Sequence, residues 1–297
     1  MGQDQQNTAP PTSHVLPGTP ISPSGAAPAL PIEGQVSGDS FRVAKASHIG
    51  RVRSCNEDAF LTVECSLHND DETVPVGLYV IADGMGGHAQ GEIASSVAVR
   101  VAASSVLQNV LIPLWLNEER NSQQLPIHEA LVEAVRTASA AVYRHAPEAG
   151  TTLIVALVMD RHVFLAHVGD SRAYIYHQGR LQQITPDHSL LAHMAESGQA
   201  DLDDALQLTT RNMLYRAVGQ TDAPIEVDTY LQQLPAGSCL LLCTDGLWDK
   251  VSDQYITAVL SEASDPQVAL DTLIDAANQN GGDDNITAIL VCRNAAK

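Results

Sequence analysis

The hydrophobic positions of this chain form short apolar runs separated by turn residues. Such runs, rich in β-branched residues and bounded by Gly, Asn or Asp, are typical of strands. The first ones are FRVAKASHI, DAFLTVECSL and VGLYVIADG. TTLIVALVM, HVFLAHVG and AYIYHQG then follow at the spacing of an antiparallel meander with a turn at HQGR, and SCLLLCTDG and NITAILVC predict two more buried strands.

Four other stretches carry apolar residues at helical spacing and predict helices: 91–112, 127–145, 253–261 and 266–279. Because the strands are grouped apart from the pairs of helices, the pattern favours an α+β fold with two sheets and helices outside. A doubly wound parallel fold would alternate strand and helix more strictly. The uncharged stretch 101–117 contains several polar residues and a proline, which indicates a core helix and no membrane span.

The two least regular parts of the chain lie outside this pattern. Residues 1–38 contain seven prolines and neither Lys nor Arg. Too little apolar surface is available there to offset the entropy of ordering, so we expect a disordered tail over 1–38 and a folded domain over 39–297. Residues 185–223 are more polar and predict a surface lobe beside the sheets.

Charge and cysteine content exclude several classes of function. The chain has 16 Lys and Arg against 35 Asp and Glu, a net charge of −19. No basic run could follow a phosphate backbone, which argues against a nucleic-acid partner. No secretory signal is visible, so we expect a cytoplasmic protein. None of the five cysteines forms a CxxC pair, and we interpret them as small buried hydrophobes in a reducing compartment.

Five predicted strand ends carry an aspartate: Asp58, Asp83, Asp170, Asp245 and Asp284. Partly buried carboxylates that lie close together repel one another and raise one another's pKa values. Divalent cations remove this conflict, and oxygen ligands select hard ions such as Mg²⁺ or Mn²⁺. This pattern predicts a metal site.

Two further features would complete such a site. Gly84, Gly86 and Gly87 follow Asp83 and would let the backbone come close to an ion or a phosphate. A single DG pair is usually only a turn, but here several aspartates accompany it. Arg53 precedes Asp58 across a predicted turn, and its guanidinium could bind a phosphate with two hydrogen bonds. Taken alone, a structural ion pair explains Arg53 equally well.

Several segments resemble, in the same order, the motif series of the metal-dependent protein phosphatases, the type 2C serine/threonine phosphatases, in their bacterial form. These segments are GRVRSCNED, DGMGGHAQGEIAS, GTTLIVALV, VGDSRAYIY, TPDHSL, RNMLYRAVG, TDGLWD and GGDDNIT, and they span about 41–293. The resemblance implies a four-layer αββα sandwich, with two antiparallel sheets flanked by helices and a flap at about 185–223.

The resemblance also implies roles for individual residues. Asp83 would bridge two metal ions and the Gly84 carbonyl would be a further ligand. Asp245 and Asp284 would hold one ion, and Asp58 and Glu57 would act at the other, partly through waters. The remaining implied roles are substrate phosphate binding by Arg53 and a weaker third metal site formed by Asp170, Asp245 and Asp249.

The implied activity is hydrolysis of phosphoserine and phosphothreonine in proteins. A water shared by two Mn²⁺ or Mg²⁺ ions would attack phosphorus directly, without a phospho-enzyme. Expected partners are phosphorylated proteins, namely substrates of a serine/threonine kinase and the kinase itself, with no nucleic acid and no membrane.

Two departures from the family pattern affect this interpretation. Met85 stands where some members have a histidine that could protonate the leaving oxygen, so the general acid is unassigned and the nearby His88 is as well explained by a structural role. QLTTRN precedes MLYRAVG where bacterial relatives often have His-Pro, which leaves flap contacts and substrate preference open.

Three alternatives remain at this stage. A relative without metals could serve as a binding or sensor module. An aspartyl-phosphate phosphatase would need a DxD nucleophile motif near its start, and a metallophosphoesterase would need His and Asn ligands in its own motifs; neither is found here. Finally, the enzyme could serve one regulatory partner, such as a dedicated anti-sigma system, instead of opposing a kinase generally.

Overall fold

The computed structural model describes residues 41–69, 72–86, 90–116, 125–196 and 213–294. The predicted tail 1–38, residues 197–212 of the flap, Gly87 and His88 lie outside the described residues. The predictions made for those segments therefore stay predictions.

The strands form two antiparallel sheets. One has the order β1-β11-β10-β7-β8, and the other β2-β3-β5-β6-β9, with β4 paired to β3 at its end. In chain order the strands are β1 (Phe41–His48), β2 (Asp58–Asn69), β3 (Glu72–Met85), β4 (Gly150–Thr151), β5 (Leu153–Met159), β6 (His162–Val168), β7 (Arg172–His177), β8 (Arg180–Gln183), β9 (Asp228–Gln233), β10 (Cys239–Cys243) and β11 (Ile286–Arg293).

The helices flank the sheets. They are α1 (Gln90–Val106), continued by a π-helical stretch Leu107–Leu111 and α2 (Ile112–Trp115), then α3 (Ile127–His145), α4 (Leu190–Glu196), α5 (Asp245–Trp248), α6 (Asp253–Glu262) and α7 (Pro266–Gln279). Ser252 caps the N-terminus of α6 and Asp265 that of α7, since each side chain accepts hydrogen bonds from free backbone N–H groups of the first turn.

Three apolar clusters separate four layers, which confirms the predicted αββα sandwich. The first lies between the β2-to-β9 sheet and helices α1 and α3, and the second lies between the other sheet and helices α6 and α7. The third fills the space between the sheets. Alternation along β3 shows the division: Leu78 and Val80 face the helices, whereas Tyr79 and Ile81 face the opposite sheet.

The strands and long helices predicted from periodicity are present, with small shifts at their ends. Gln178 and Gly179 form the predicted hairpin turn, with φ of 49° and 76°, as a type I′ turn requires. The strand β9 was not predicted because its sequence, DTYLQQ, is mostly polar.

The interpretation of the cysteines is wrong for one pair. Cys239 and Cys292 form a disulfide between adjacent strands, where they occupy opposite positions in the β10–β11 register. They are 53 residues apart in sequence, so their proximity depends on strand pairing that spacing alone does not reveal. Of the three free cysteines, Cys243 is buried as expected and Cys65 is partly buried, whereas Cys55 is exposed, so the interpretation as buried residues is also wrong for Cys55.

The segment Gln90–Trp115 is long and apolar enough to cross a membrane by length and composition. A core helix of a soluble protein meets the same criterion. In the structure one face of this segment, including Ala94, Ala98 and Val106, belongs to the core cluster that packs on the β3 sheet.

Candidate active site

A cleft of about 240 Å³ opens at one end of the sandwich. The loops between β1 and β2, the end of β3, the start of β5, the turn after β6 and the residues beside β10 and β11 meet there. It is lined by Arg53, Glu57, Asp83, Gly84, Met85, Gly86, Thr152, Asp170, Leu214, Asp245 and Asp284.

Strand register places two of the predicted aspartates side by side. Asp58 begins β2 and lies directly opposite Asp83 of β3. Asp83 follows Tyr79 and Ile81 at a spacing of two, so its side chain continues the row that faces the other sheet. Both carboxylates therefore point into the end of the space between the sheets.

The opposite sheet contributes its own polar groups through β10. Thr244 follows Leu240 and Leu242 on the face toward the sandwich interior, and its hydroxyl donates a 2.9 Å hydrogen bond to Asp58 Oδ2. The next residue, Asp245, begins α5 and lines the cleft. The ends of β2 and β3 from one sheet and of β10 from the other thus bring this cluster together.

Two oxygens of this cluster have no hydrogen-bond partner among the described residues. They are Asp58 Oδ1 and Asp245 Oδ1, and both are inaccessible to solvent. A buried carboxylate oxygen without a partner is costly, and native proteins rarely leave one without a donor, a water or an ion.

The electrostatics show the same conflict. Burial, with repulsion from neighbouring carboxylates, raises the pKa of Asp58 to about 7 and that of Asp245 to about 6. The pKa of Asp170 rises to about 7 for the same reasons. Asp83 has its pKa raised well above the usual value, first by burial and then by the charge of Asp58.

This donor set fits divalent cations of the hard type. The groups available are carboxylates and backbone carbonyls, which suit Mg²⁺ and Mn²⁺. Within the described part of the chain no group of three His, Cys, Asp or Glu side chains already stands in a ligand geometry. The carboxylates instead contact neighbouring groups, such as Thr244 for Asp58 and Arg53 for Asp284.

Arg53 lies at the rim of the cleft and contacts two of its carboxylates. Its Nη2 donates a 2.7 Å hydrogen bond to Asp284 Oδ2, and its Nη1 lies 3.8 Å from Glu57 Oε2. The side chain is 46% exposed, so a ligand can reach it from solvent. Burial raises the pKa of Glu57, while the charge of Arg53 opposes that rise.

Asn285 organises the loop that carries Arg53 and Glu57. Its Oδ1 accepts a 2.8 Å hydrogen bond from the Glu57 N–H, and its Nδ2 donates to the carbonyls of Ile49 and Cys55 at 2.9 Å each. Sequence reasoning did not assign this role. The only signal was the position of Asn285 beside Asp284 at the start of a buried strand.

Gly84 is required by close contacts between backbone segments. Its N–H donates a 3.1 Å hydrogen bond to the Glu57 carbonyl, and a Cβ at this position would collide with the carbonyls of Glu57 and Gly91. At the DG motif the backbone therefore closely approaches the β1–β2 loop and the start of α1, while its predicted approach to an ion or a phosphate stays a prediction.

Thr151 and Thr152 hold Asp83 from the adjacent strands, a contact that sequence reasoning missed. The Thr152 hydroxyl accepts the Asp83 N–H at 2.9 Å and lies 2.7 Å from Ser171 Oγ. The Thr151 hydroxyl donates to the Asp83 carbonyl at 2.7 Å. Two threonines before an apolar run in GTTLIVALV were the only available signal.

Two predicted residues lie apart from the cleft lining. Asp58 is behind it, next to Asp83. Asp249 lies one turn after Asp245 in α5, where its carboxylate is 3.4 Å from Lys250 Nζ. Met85, the residue in the position of a possible proton donor, does line the cleft.

A family model described as "Protein phosphatase 2C" matches residues 46–290. The chain belongs to the protein phosphatase 2C family. It is a bacterial PPM-type phosphatase, an enzyme of the serine/threonine phosphoprotein phosphatase class, as the ordered motifs indicated.

Individual relatives agree with this assignment. The phosphatase is 34% identical to the "Serine/threonine phosphatase stp" of Listeria welshimeri over 251 residues, which cover 82% of this chain and 93% of that protein. It superposes on the serine/threonine phosphatase of S. agalactiae with a TM-score of 0.69 at 30% identity, covering 85% and 99% of the two chains.

One solved relative was described with metal ions. The catalytic domain of the serine/threonine protein phosphatase PstP "in complex with 2 Manganese ions" has a TM-score of 0.65 at 29% identity, with 86% of this chain and 98% of that chain covered. Metal dependence of this PPM-type phosphatase agrees with that structure.

Proposed function

We propose that this phosphatase hydrolyses phosphoserine and phosphothreonine in proteins with two divalent cations, Mn²⁺ or Mg²⁺. The cations would be held by what we call the acidic cluster: Asp58, Asp83, Asp245 and Asp284. The observation that carries the proposal is a pair of buried carboxylate oxygens, Asp58 Oδ1 and Asp245 Oδ1, that have no hydrogen-bond partner among the described residues. Asp58 lies directly opposite Asp83. When bound, the cations would supply Lewis acidity and a water of lowered pKa.

Each residue then has a distinct task. Asp83, fixed by Thr151 and Thr152, would contact both ions. The Gly84 carbonyl would be a further ligand. The other proposed ligands are Asp245 and Asp284 for one ion, Asp58 and Glu57 for the other, and Asp170 with Asp245 and Asp249 for a weaker third ion.

Arg53 would bind the substrate phosphate. Its guanidinium reaches the cleft from the rim, and only Asp284 holds it at hydrogen-bonding distance among the described residues. A phosphate with two or three free oxygens offers a stronger, bidentate partner. Met85 cannot donate a proton, so protonation of the leaving oxygen is left to water within the cleft.

The wider setting is also part of the proposal. Substrates would be phosphoproteins made by a serine/threonine kinase, with the kinase itself among them, in the cytoplasm and without a nucleic-acid or membrane partner. The acidic balance of the chain, −19, supports the absence of a nucleic-acid partner.

Hydrolysis of p-nitrophenyl phosphate and a phosphothreonine peptide, with Mn²⁺, Mg²⁺ or EDTA, tests the proposal. We expect activity only with metal and a loss of at least about 100-fold in Asp245→Asn. Asp283→Asn is the matched control, because Asp283 is next to Asp284 but exposed and paired with Lys250 at 2.6 Å.

Activity that survives EDTA would contradict the metal assignment. A folded protein with no activity under any divalent ion would instead favour a binding module of the same fold.

A further inference from the structure

A second, partly buried polar cluster lies beside the acidic cluster, and the proposed chemistry does not use it. We call it the histidine cluster: His167, His188, Arg216 and Asp228. His188 is 1% exposed, its Nε2 lies 3.1 Å from Asp228 Oδ2, and its ring centroid lies 4.6 Å from that of His167. Arg216 donates a 2.9 Å hydrogen bond to the other oxygen of Asp228.

His188 contacts the turn that carries Asp170. Its Nδ1 accepts the Gly169 N–H at 3.1 Å, and its own backbone N–H donates to the Gly169 carbonyl at 2.9 Å. Since Nδ1 accepts, the ring proton lies on Nε2 and is donated to Asp228. Asp228 thereby fixes both the tautomer and the direction of the ring, as carboxylates do for ligating histidines.

Contacts with several neighbouring residues also fix the Gly169–Asp170 turn. Gly169 has φ of +109°, which favours glycine, and a Cβ there would meet Thr152. The Asp170 carbonyl accepts a 3.0 Å hydrogen bond from Trp248 Nε1, while its carboxylate lines the cleft. His188 is thus the side chain that holds Gly169, one residue before Asp170.

His188 also anchors the described part of the flap. Its carbonyl accepts the Tyr215 N–H at 3.0 Å, and the neighbouring Ser189 forms a bridge with Leu214. Leu214 lines the cleft. One residue therefore joins the flap and the Asp170 turn to the β9 strand that bears Asp228.

We propose that His188, oriented by Asp228, is a positioning residue that holds the Gly169–Asp170 turn and thereby sets the affinity of the Asp170 metal site. This inference rests on the proposed function, since it takes Asp170 as a metal ligand. A histidine that only fills space would affect stability without affecting metal affinity.

Two variants separate the functions of the ring. In His188→Asn the amide oxygen can take the place of Nδ1 and accept the Gly169 N–H. In His188→Gln the polar atoms lie at the place of Nε2, so the Gly169 N–H is left without its acceptor. Both variants lose a similar amount of packing, which makes each the control for the other.

The experiment is a Mn²⁺ titration of the full chain by calorimetry, repeated by fluorescence in a Trp115→Phe background. Trp248 is then the only tryptophan, and its indole reports on the Asp170 carbonyl. We expect His188→Gln to raise the half-saturating Mn²⁺ concentration of the weak site roughly tenfold, and His188→Asn by less than about threefold. Thermal melts in EDTA show whether both variants are folded.

Asp170→Asn serves as the reference. If it weakens Mn²⁺ binding and both His188 variants bind as the wild type does, the positioning role is overturned while the metal site stands. If Asp170→Asn binds Mn²⁺ unchanged, the metal assignment of Asp170 fails and the inference fails with it. Equal weakening in both His188 variants, in step with their melting temperatures, would reduce His188 to a packing residue.

Should His188→Gln fail to fold, Asp228→Ala gives a second test, because Asp228 is 31% exposed and Arg216 keeps a 2.6 Å pair with Glu226. We expect a several-fold rise in the half-saturating Mn²⁺ concentration, and unchanged binding in the folded variant would overturn the proposal.

Discussion

The acidic cluster and the histidine cluster use the same residue type in opposite ways. Asp58 faces other carboxylates and has its pKa raised to about 7, first by burial. The pKa of Asp228 is lowered to about 2, chiefly by the hydrogen bond from His188, although burial alone would raise it. Both side chains belong to the same sheet, and the Gly169–Asp170 turn lies between the clusters.

The opposite pKa shifts of Asp58 and Asp228 reflect the cations near each residue. The histidine cluster contains Arg216, whose two Nη atoms contact Asp228 and Glu226, so its charges are matched within the chain. Among the described residues, the ion pairs to Asp284 and Glu57 at the acidic cluster come from Arg53, which lies at the exposed rim. A buried cluster whose charge the protein does not balance is one that a bound cation can balance.

The largest contrast is expected between the two arginines. Arg53→Lys should lower kcat/KM for a phosphothreonine peptide about 10- to 30-fold, because an ammonium cannot bind phosphate through two parallel hydrogen bonds. Its melting temperature should stay within about 1 °C of wild type, since the side chain is exposed. Arg216→Lys should do the reverse, with a lower melting temperature and kcat/KM within about twofold. Steady-state kinetics and thermal melts test this. The comparison would be contradicted if both variants lost mainly kcat/KM, or if both lost mainly thermal stability.

The two aspartates should respond to amide substitution with opposite signs. In EDTA at pH 8, Asp58→Asn removes a repelling charge and should raise the free energy of unfolding by about 2 kcal/mol, or roughly 4–8 °C in Tm. Asp228→Asn removes a charge that Arg216 balances and should lower it by about 1 kcal/mol after allowance for solvent screening. Mn²⁺ should raise the Tm of the wild type more than that of Asp58→Asn. Stabilisation by neither or by both substitutions would contradict the comparison.

The smallest effect is the dependence of these differences on pH. A folded pKa raised to about 7 means that Asp58 stabilises the protein least above pH 7, so the advantage of Asp58→Asn should vanish near pH 4 and grow up to pH 8. The lowered pKa of Asp228 has the opposite effect, because its charged form stabilises the folded protein. Its contribution of about 1 kcal/mol is present above about pH 4 and is lost as the pH falls toward 2. Thermal melts of each variant and of wild type in EDTA, from pH 3 to 8, measure these differences. The Tm of Asp58→Asn relative to wild type should rise with pH above about 4, whereas that of Asp228→Asn should fall with pH below about 4.

Much of the fold could be predicted from the sequence because its elements are strongly patterned. β5 is apolar at every position and α3 has an apolar face, so periodicity identified both. The order of the motifs then indicated the family. The same reasoning missed β9, whose sequence DTYLQQ is mostly polar and in which only Tyr230 is buried.

The contacts within the site are harder to predict, for a physical reason. Asn285 bonds to a loop more than two hundred residues earlier in the chain, and Thr152 bonds to Asp83 across 69 residues. Residue type gives the capacity for a hydrogen bond, but the partner depends on strand register. The same limit applies to the Cys239–Cys292 disulfide and to the link from His188 to Gly169.

The pairing of β1 with β11 has a consequence for how the enzyme is made. Phe41 of β1 lies opposite Arg293 of β11, so the first described strand is synthesised long before its partner β11, the last strand of the described residues. Asp284 and Asn285 arrive just before that last strand, and Asn285 is what fastens the Arg53 loop. A growing chain therefore has no finished cleft until Asp284, Asn285 and β11 have been synthesised.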